Sequence, residues 1–296
     1  MKKTLRDIGE DALIARITRG FPTGGALLCG PGDDCAVVDA GKGRPYRLLK
    51  TDAIVEGVHF LPKTPAVKVG WKAVARVISD FAAMGGRPEH LLVTVAVDAA
   101  RPVAWMDGLY RGIRDCLETH GGLLAGGETS RLPSGALISV AGEGRVAQKD
   151  LVLRSGGKPG DFIAVTGRLG GSIHGKHLTF TPRVEEAAWL VTHLRPSAMM
   201  DLSDGLAKDL PRLATASGCG FEIDPSWLPR NRGCDLAAAL GDGEDYELLL
   251  TVPERNWNRA AASWSAAFPA LPLTAIGRLT EQGDGMTLSG GWDHFR

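Results

Sequence analysis

The pattern of apolar and polar residues divides the chain into helical and extended stretches. In residues 67–84 an apolar residue returns every three or four positions and Gly85-Gly86 follows, which predicts a helix and its end. Residues 91–97 alternate as a strand does. The same criteria predict helices over 5–18, 105–119, 184–192, 203–216 (capped by Ser203) and 253–267 (begun by Pro253), and strands over 36–38, 46–50, 123–125, 136–146, 162–166, 221–223, 248–252, 273–276 and 286–288.

Strands and helices alternate in both halves of the chain, which predicts a mixed α/β protein with two domains. The alternation breaks at Arg154-Ser155-Gly156-Gly157-Lys158-Pro159-Gly160-Asp161, where glycine, proline and charged residues replace apolar ones. We therefore expect an N-terminal domain over residues 1–148 and a C-terminal domain over residues 149–296.

Composition narrows the classes of function. Lys and Arg total 34, as do Asp and Glu, so the formal net charge is zero and a nucleic-acid partner is not expected. The five cysteines show no C-x-x-C spacing, which argues against zinc and favours a reducing compartment. No signal peptide is visible, and no apolar run approaches the roughly 20 residues that span a bilayer. A cytoplasmic protein without a membrane partner is expected.

Adjacent carboxylates precede an apolar run at Gly32-Asp33-Asp34-Cys35-Ala36-Val37-Val38. Two unit charges about 4 Å apart repel by roughly 4 kcal/mol at an effective dielectric constant near 20, so a cation is needed nearby. Oxygen ligands without Cys or His suit hard divalent cations, Mg²⁺ above all. The pattern predicts a phosphate-handling site with several magnesium ions, because other acids also end apolar runs: Asp52, Asp80, Glu128, Asp201, Asp204, Glu244 and Asp245.

Seven motifs resemble, in the same order, those of the thiamine-monophosphate kinases, a family of the aminoimidazole-ribonucleotide synthetase-like superfamily. Any one of them is short, but together they span nearly the whole chain. They are GDDCAV at 32–37, TDAIVEGVHF at 51–60, SDFAAMG at 79–85, RSGGKPGD at 154–161, DLSDGL at 201–206, GEDYEL at 243–248 and WDHF at 292–295.

The resemblance implies transfer of the γ-phosphoryl group of ATP to thiamine monophosphate, assisted by several Mg²⁺ ions. It also implies a two-domain synthetase-like fold, a homodimer in which the N-terminal sheets of two subunits pair, and an active-site cleft between the domains. The second pKa of a phosphate monoester lies near 6, so the attacking oxygen is already deprotonated at neutral pH. No general base is expected, because bringing two anions into line is the main obstacle.

Residue roles follow from the same resemblance. ATP would contact Gly127, Glu128, Arg154 and Ser203, and thiamine monophosphate would contact His59, Glu244 and Phe295. For Asp33, a metal ligand and a turn residue that accepts backbone hydrogen bonds remain equal alternatives. The implied magnesium ligands are Asp34, Thr51, Asp52, Asp80, Glu128, Asp201 and Asp204.

Two positions depart from the family pattern and leave the number of metal ions open. Lys50 stands where the family has Ser, and Glu128 stands where it has Asp. Two alternative functions follow: another ATP-using member of the superfamily, or a nucleotide-binding protein with a degraded metal site and no turnover. Relatives that handle selenide or carbamoyl groups need a reactive Cys near one end, and neither Cys29 nor the final Phe295-Arg296 meets that need.

Overall fold

The structure, a computed structural model that describes residues 3–295, contains two β-sheets with helices packed against them. In the first sheet the strand order is β1-β2-β3-β6-β4-β5, and only β4 and β5 are parallel. Its strands are β1 (Leu27–Cys29), β2 (Ala36–Val38), β3 (Tyr46–Val55), β4 (Arg87–Val97), β5 (Leu123–Arg131) and β6 (Ala136–Val146).

The second sheet is antiparallel throughout, with the order β8-β10-β7-β11-β9. Neighbouring residues along its central strands are buried on opposite faces, so both faces of this sheet are covered. Its strands are β7 (Phe162–Thr166), β8 (Ala198–Asp201), β9 (Gly220–Ile223), β10 (Leu248–Val252) and β11 (Leu273–Thr280).

Nine α-helices lie among the described residues, and two long ones cover the first sheet. Gly70 and Gly112 let these two, α3 and α4, approach closely, since an added Cβ would lie 2.0 Å from the Leu109 carbonyl oxygen or 1.8 Å from that of Val67. The helices are α1 (Leu5–Ile8), α2 (Glu10–Ile17), α3 (Ala66–Ala83), α4 (Val103–His120), α5 (Val184–His193), α6 (Leu206–Ala216), α7 (Leu236–Gly241), α8 (Glu254–Ala260) and α9 (Trp264–Ala267).

The two faces of the first sheet differ in what covers them. On the inner face, Leu48, Val93 and Val140 are fully buried toward α3. On the outer face, Leu49 and Leu92 are 45% and 50% exposed. Because side chains alternate along a strand, each residue of β3 belongs to one face or the other.

The larger hydrophobic cluster joins both sheets. Val77 and Phe81 of α3 belong to it together with Met199 of β8 and Leu250 of β10. A second cluster, around Leu210 of α6, lies on the other face of the second sheet. Between residues 3 and 295, no helix has both the length and the apolar character that crossing a membrane requires.

The helix expected over 253–267 divides into α8 and α9, separated by a 3₁₀ turn, with Pro253 preceding the first helical residue. The helix expected over 5–18 divides into α1 and α2 at Gly9, whose φ of 74° interrupts the helix. The strands expected over 136–146, 162–166 and 248–252 are confirmed residue for residue.

Two local predictions were wrong. Residues 286–288 form no strand, because Met286 contributes a single backbone hydrogen bond, to the Phe221 carbonyl. Ser203 does not cap α6, which begins after Gly205, and the Ser203 backbone N–H instead donates to the Asp209 side chain. The strand over 46–50 continues to Val55, since its polar residues keep full backbone pairing with β6. The short elements β1, β8 and α7 were not predicted.

Candidate functional site

A cleft of about 1340 Å³ opens between the two sheets. Its walls come from α2, β3, α3, α6, the segment that follows β8, and residues 290–294. Eight acidic, basic or hydroxyl residues named from the sequence line it: Asp33, Lys50, Asp52, Asp80, Arg154, Asp201, Ser203 and Asp204.

Three carboxylates from distant parts of the chain meet at the wall of this cleft, where Asp80 and Asp201 line it and Asp34 is buried beside them. Asp34 precedes β2, Asp80 lies in the last turn of α3, and Asp201 ends β8. One oxygen from each lies within 4.8 Å of the others, and all three residues are buried. The Asp34 Oδ2 atom is buried without a hydrogen-bond partner among residues 3–295. An all-oxygen set with such an orphaned atom fits a hard divalent cation.

Burial makes ionisation of this cluster unfavourable. It raises the pKa of Asp201 to about 6, with the charge of Asp34 as the next cause. Burial also raises the pKa of Asp80 well above its ordinary value, against the opposing effect of Lys50. The pKa of Asp33 rises to about 6, again through burial first and Asp34 second. The cluster therefore needs positive charge to hold all its carboxylates ionised at neutral pH.

Two basic side chains supply part of that charge. The Lys50 ammonium lies 2.8 Å from Asp80 Oδ1, and Arg154 Nε donates to Asp34 Oδ1 at 3.2 Å. Burial alone would lower the pKa of Lys50, but the charges of Asp80 and then Asp52 raise it above its ordinary value. The Ser79 hydroxyl, which carries no charge, donates a hydrogen bond of 2.5 Å to Asp201 Oδ2. Lys50 is therefore a cation built into the cluster.

Helix α3 presents three charged residues to the cleft side at four-residue intervals, Lys72, Arg76 and Asp80, which places them on one stripe. Asp80 pairs with Lys50 as described, and Arg76 Nε lies 2.9 Å from Asp52 Oδ2. Lys72 and Arg76 were not singled out from the sequence, although their spacing inside an otherwise apolar helix was a visible signal.

Glu244 lies at the other end of this stripe. The Lys72 ammonium, whose side chain is fully buried, lies 2.6 Å from Glu244 Oε1 and donates to the His59 carbonyl at 2.7 Å. Burial lowers the pKa of Lys72 to about 8, although Glu244 opposes the shift. The pKa of His59 falls to about 3 through burial and then Arg76, so this ring is neutral at pH 7.

The backbone around Glu244 is held in an unusual conformation. Glu244 and Tyr246 have φ values of 54° and 50°, in the left-handed region that costs about 1–3 kcal/mol for a non-glycine residue. Their N–H groups donate to the carbonyls of Ser203 at 2.7 Å and Leu202 at 2.9 Å. These bonds fix Glu244 beside the loop that carries Ser203.

The His59 ring has a defined orientation. Its Nδ1 accepts a hydrogen bond from the Val55 N–H at 3.1 Å, which leaves the proton of the neutral ring on Nε2. The ring also stacks at a tilt against His294, with 5.4 Å between centroids. Because His294 lines the cleft, His59 lies just behind its wall.

The loop with Ser203 and Asp204 is organised by a buried acid. Both backbone N–H groups donate to Asp209 Oδ2, at 3.1 and 3.0 Å. Burial raises the pKa of Asp209 to about 7, with Asp204 as the next cause. Asp204 itself lies 2.7 Å from Arg212 and 3.2 Å from Lys208. It therefore lines the cleft as part of an ion-pair network, outside the group of three carboxylates.

Four further residues named from the sequence lie elsewhere. Thr51 is exposed, and its place in β3 puts its side chain on the outer face, opposite to Asp52. Glu128 pairs with Thr94 across β4 and β5, and both Glu128 and Gly127 are exposed on the edge strand β5. Phe295 is half-buried beside the cleft-lining tail and does not itself line the cleft.

Comparison with known proteins gives consistent matches. Residues 32–146 match the family model for the N-terminal domain of AIR synthase related protein, and residues 182–288 match its C-terminal domain. The thiamine-monophosphate kinase of Escherichia coli strain K12 is 34% identical, over 97% of this chain and 98% of that protein.

Two solved structures add to these matches. AaThiL complexed with AMPPCP and TMP aligns with a TM-score of 0.86 at 29% identity, over 99% of each chain. E. coli HypE, a hydrogenase maturation protein, aligns with a TM-score of 0.69 at 19% identity, over 84% of each chain, which is a likeness of fold alone.

Proposed function

Because the chain belongs to the thiamine-monophosphate kinases, within the AIR synthase related family, we propose that it transfers the γ-phosphoryl group of ATP to thiamine monophosphate and releases thiamine diphosphate. The observation that carries the proposal is the convergence of Asp34, Asp80 and Asp201 in one cleft, in a chain 34% identical to a named kinase of this family. AaThiL, which aligns over 99% of each chain, was solved in complex with AMPPCP and TMP.

The acidic and the basic side chains of the cleft have different roles in bringing two phosphate groups together. Mg²⁺ held by Asp34, Asp80 and Asp201, with Asp52 and Asp204 nearby, would neutralise charge on the phosphate oxygens. Lys50 and Arg154 add fixed positive charge beside two of these carboxylates. The acceptor phosphate is already deprotonated at neutral pH, so no side chain has to act as a base.

ATP and the acceptor occupy different ends of the cleft in this proposal. Arg154 and the loop at Ser203 contact the nucleotide, near the carboxylates. Glu244 accepts a hydrogen bond from the amino group of the acceptor ring, and Lys72 fixes its orientation at 2.6 Å. The neutral His59 offers its Nε2 proton to the acceptor as a hydrogen-bond donor. Phe295, at the end of the cleft-lining tail, packs against the acceptor ring.

We propose further that the protein is a cytoplasmic homodimer of subunits with domains 1–148 and 149–296. The outer face of the first sheet supports this, since Leu49, Leu92 and Leu124 are all at least 43% exposed there or on the edge strand β5. A second copy on that face would cover Thr51, Glu128 and Gly127, and would carry them toward nucleotide and metal. All five cysteines, which lie within residues 3–295, are free thiols, as in a reducing compartment.

One alternative function has a specific observation behind it. The Lys50 ammonium donates a hydrogen bond to Asp80 Oδ1, so the cluster has one oxygen fewer to bind a divalent cation. A protein that binds ATP without turnover would show such a feature. The likeness to HypE, at 19% identity, gives no comparable support to an amide-activating function.

The deciding experiment incubates the purified protein with ATP, MgCl₂ and thiamine monophosphate, and separates the thiamine phosphates by chromatography. We expect stoichiometric ADP and thiamine diphosphate, and neither product after chelation of the metal. ATP binding without product would favour the non-catalytic alternative. Phosphorylation of thiamine itself would show that the acceptor has been assigned wrongly.

A further inference from the structure

The charged stripe of α3 leads from Glu244, behind the wall of the cleft, to the carboxylate cluster, and its Arg76 and Asp80 line the cleft. Lys72 holds Glu244 at one end, and Asp80 belongs to the cluster at the other. At 1.5 Å per residue, the two positions are about 12 Å apart along the helix, with Arg76 about 6 Å from each. A ligand that reaches from Glu244 to the cluster must pass Arg76.

Arg76 is held by Asp52 and Ala53 and keeps its Nη2 group for a ligand. Its Nε lies 2.9 Å from Asp52 Oδ2 as an ion pair, although this N–H makes no well-directed hydrogen bond among residues 3–295, and its Nη1 donates to the Ala53 carbonyl at 3.2 Å. The Nη2 group makes no hydrogen bond to any residue from 3 to 295, and unlike Nε it is not fully buried. Because Arg76 lines the cleft, we infer that its Nη2 group faces the cleft.

The other cations of the cleft are engaged away from Glu244. Lys50 pairs with Asp80, Arg154 with Asp34, and both Lys208 and Arg212 with Asp204. Lys72 lies close to Glu244, but its side chain has no exposed surface. Among the described residues, Arg76 is therefore the cation that combines closeness to the Glu244 end with a donor facing the cleft.

We propose that Arg76 binds the phosphate of the acceptor and makes the site selective for a phosphorylated acceptor over the same molecule ending in a hydroxyl. This rests on the proposed function, because it assumes that the acceptor ring contacts Glu244. A guanidinium is suited to the role, since its charge is permanent and its Nη2 group still offers two N–H donors to phosphate oxygens. Asp52 and Ala53 hold the guanidinium in place, so little motion is lost on binding.

Binding of two acceptors to Arg76→Gln tests this assignment. Dissociation constants for thiamine monophosphate and thiamine are measured by calorimetry, with a non-hydrolysable ATP analogue present. The wild type is expected to prefer the phosphorylated form, and the variant to lose about 30-fold in affinity for thiamine monophosphate with less than threefold change for thiamine. Equal losses for both ligands would overturn the proposal, because a purely structural role weakens both.

Two further variants, one of them a matched control, complete this test. Arg111→Gln, on an exposed position of α4, is the matched control and should keep the wild-type preference. Arg76→Lys keeps the charge beside Asp52 but loses the Nη2 donors, and should lose about 5–10-fold in affinity for thiamine monophosphate alone. If Arg76→Gln does not fold, an unchanged preference in Arg76→Lys overturns the proposal.

The same measurements separate this inference from the proposed function. A wild type that binds both ligands through an Arg76-dependent preference, yet forms no thiamine diphosphate, would refute turnover and leave the role of Arg76 standing. A wild type that forms thiamine diphosphate, while Arg76→Gln keeps the full preference, would support turnover and refute the role of Arg76.

Discussion

The two faces of the first sheet carry different members of the predicted metal set. The inner face brings Lys50 and Asp52 to the cleft, where Asp80 lies opposite. The outer face brings Thr51 and Glu128 to solvent, beside exposed leucines. Thr51 and Asp52 are adjacent in sequence, yet the pleat of β3 sends them in opposite directions.

This difference indicates that one chain provides a cleft with only part of the residues named from the sequence. The buried acids have cations and hydrogen-bond donors from their own chain, such as Lys50, Arg154 and Ser79. Among the described residues, the Glu128 side chain accepts a hydrogen bond only from the neighbouring Thr129 N–H. The proposed dimer would give the outer-face residues a partner surface, so the contrast between the faces can be tested.

The largest effect is expected on the inner face, from Asp201→Asn. The variant keeps the bond to Ser79 but removes one of three clustered charges, so formation of thiamine diphosphate should fall about 10³-fold, or about 4 kcal/mol in the barrier. Without Mg²⁺ its thermal midpoint should equal or exceed that of the wild type, because mutual repulsion is relieved. Asp115→Asn, on the exposed side of α4, is the control, and activity within threefold of wild type in Asp201→Asn would contradict the cluster's role.

A mixing experiment tests whether the outer face acts on a second subunit. Glu128→Ala and Asp201→Asn should each be nearly inactive as homodimers. If each site takes Glu128 from one chain and Asp201 from the other, each mixed dimer keeps one intact site, and random co-assembly should restore about a quarter of wild-type activity. Mixed dimers, verified by mass spectrometry, that stay inactive would place Glu128 in the site of its own chain.

A smaller effect is expected from Lys50→Ser. Removing the ammonium frees Asp80 Oδ1 and removes a repelling charge, so the Mg²⁺ concentration for half-maximal activity should fall about 5–10-fold. Calorimetry with Mn²⁺ should also detect an additional bound ion. Lys149→Ser, on the surface, is the control. An unchanged metal titration would show that Lys50 does not compete with divalent cations.

The smallest effect concerns pH and Lys72. Its pKa of about 8 means that kcat/KM for thiamine monophosphate should decline a few-fold above pH 8, as the amine loses the charge that holds Glu244. Lys72→Met should lack this alkaline limb. The folded pKa lies below the ordinary 10.5, so the free energy of unfolding of the wild type should rise, relative to Lys72→Met, between about pH 8 and 10.5. Identical pH profiles in both proteins would remove Lys72 from the site.

The sequence predicted the elements whose patterns are long and regular. Helix α3 and strand β6 fall within one residue of their expected bounds, because their side chains face one continuous core. The strand expected over residues 286–288 was wrong because three residues, two of them apolar, are too few to distinguish a strand from a packed loop. The cap expected at Ser203 was wrong because α6 has Gly205 at its N-cap position, and Ser203 belongs to the preceding loop, where its backbone N–H donates to Asp209.

The site was predictable as a list of acids but not as an arrangement. Sequence order placed Asp34, Asp80 and Asp201 at the ends of apolar elements, where a cluster was expected. The strands predicted over 46–50 and 123–125 ended before Thr51, Asp52 and Glu128, so these residues were not assigned to a face of the sheet. The ion pairs of Lys72 and Arg76 join residues far apart in the chain, which spacing alone does not pair.

Helix α3 has a consequence for how ligands enter and leave. Its apolar side packs in one cluster with residues of both sheets, so rotating one sheet against the other would expose apolar surface at about 25 cal/mol per Å². We therefore expect that the two sheets do not rotate apart about a hinge. By contrast, α2 has no buried residue and is tied to α6 by ion pairs such as Glu10 with Lys208 at 3.0 Å. Nucleotide exchange would then proceed by detachment of this rim helix, at low energetic cost.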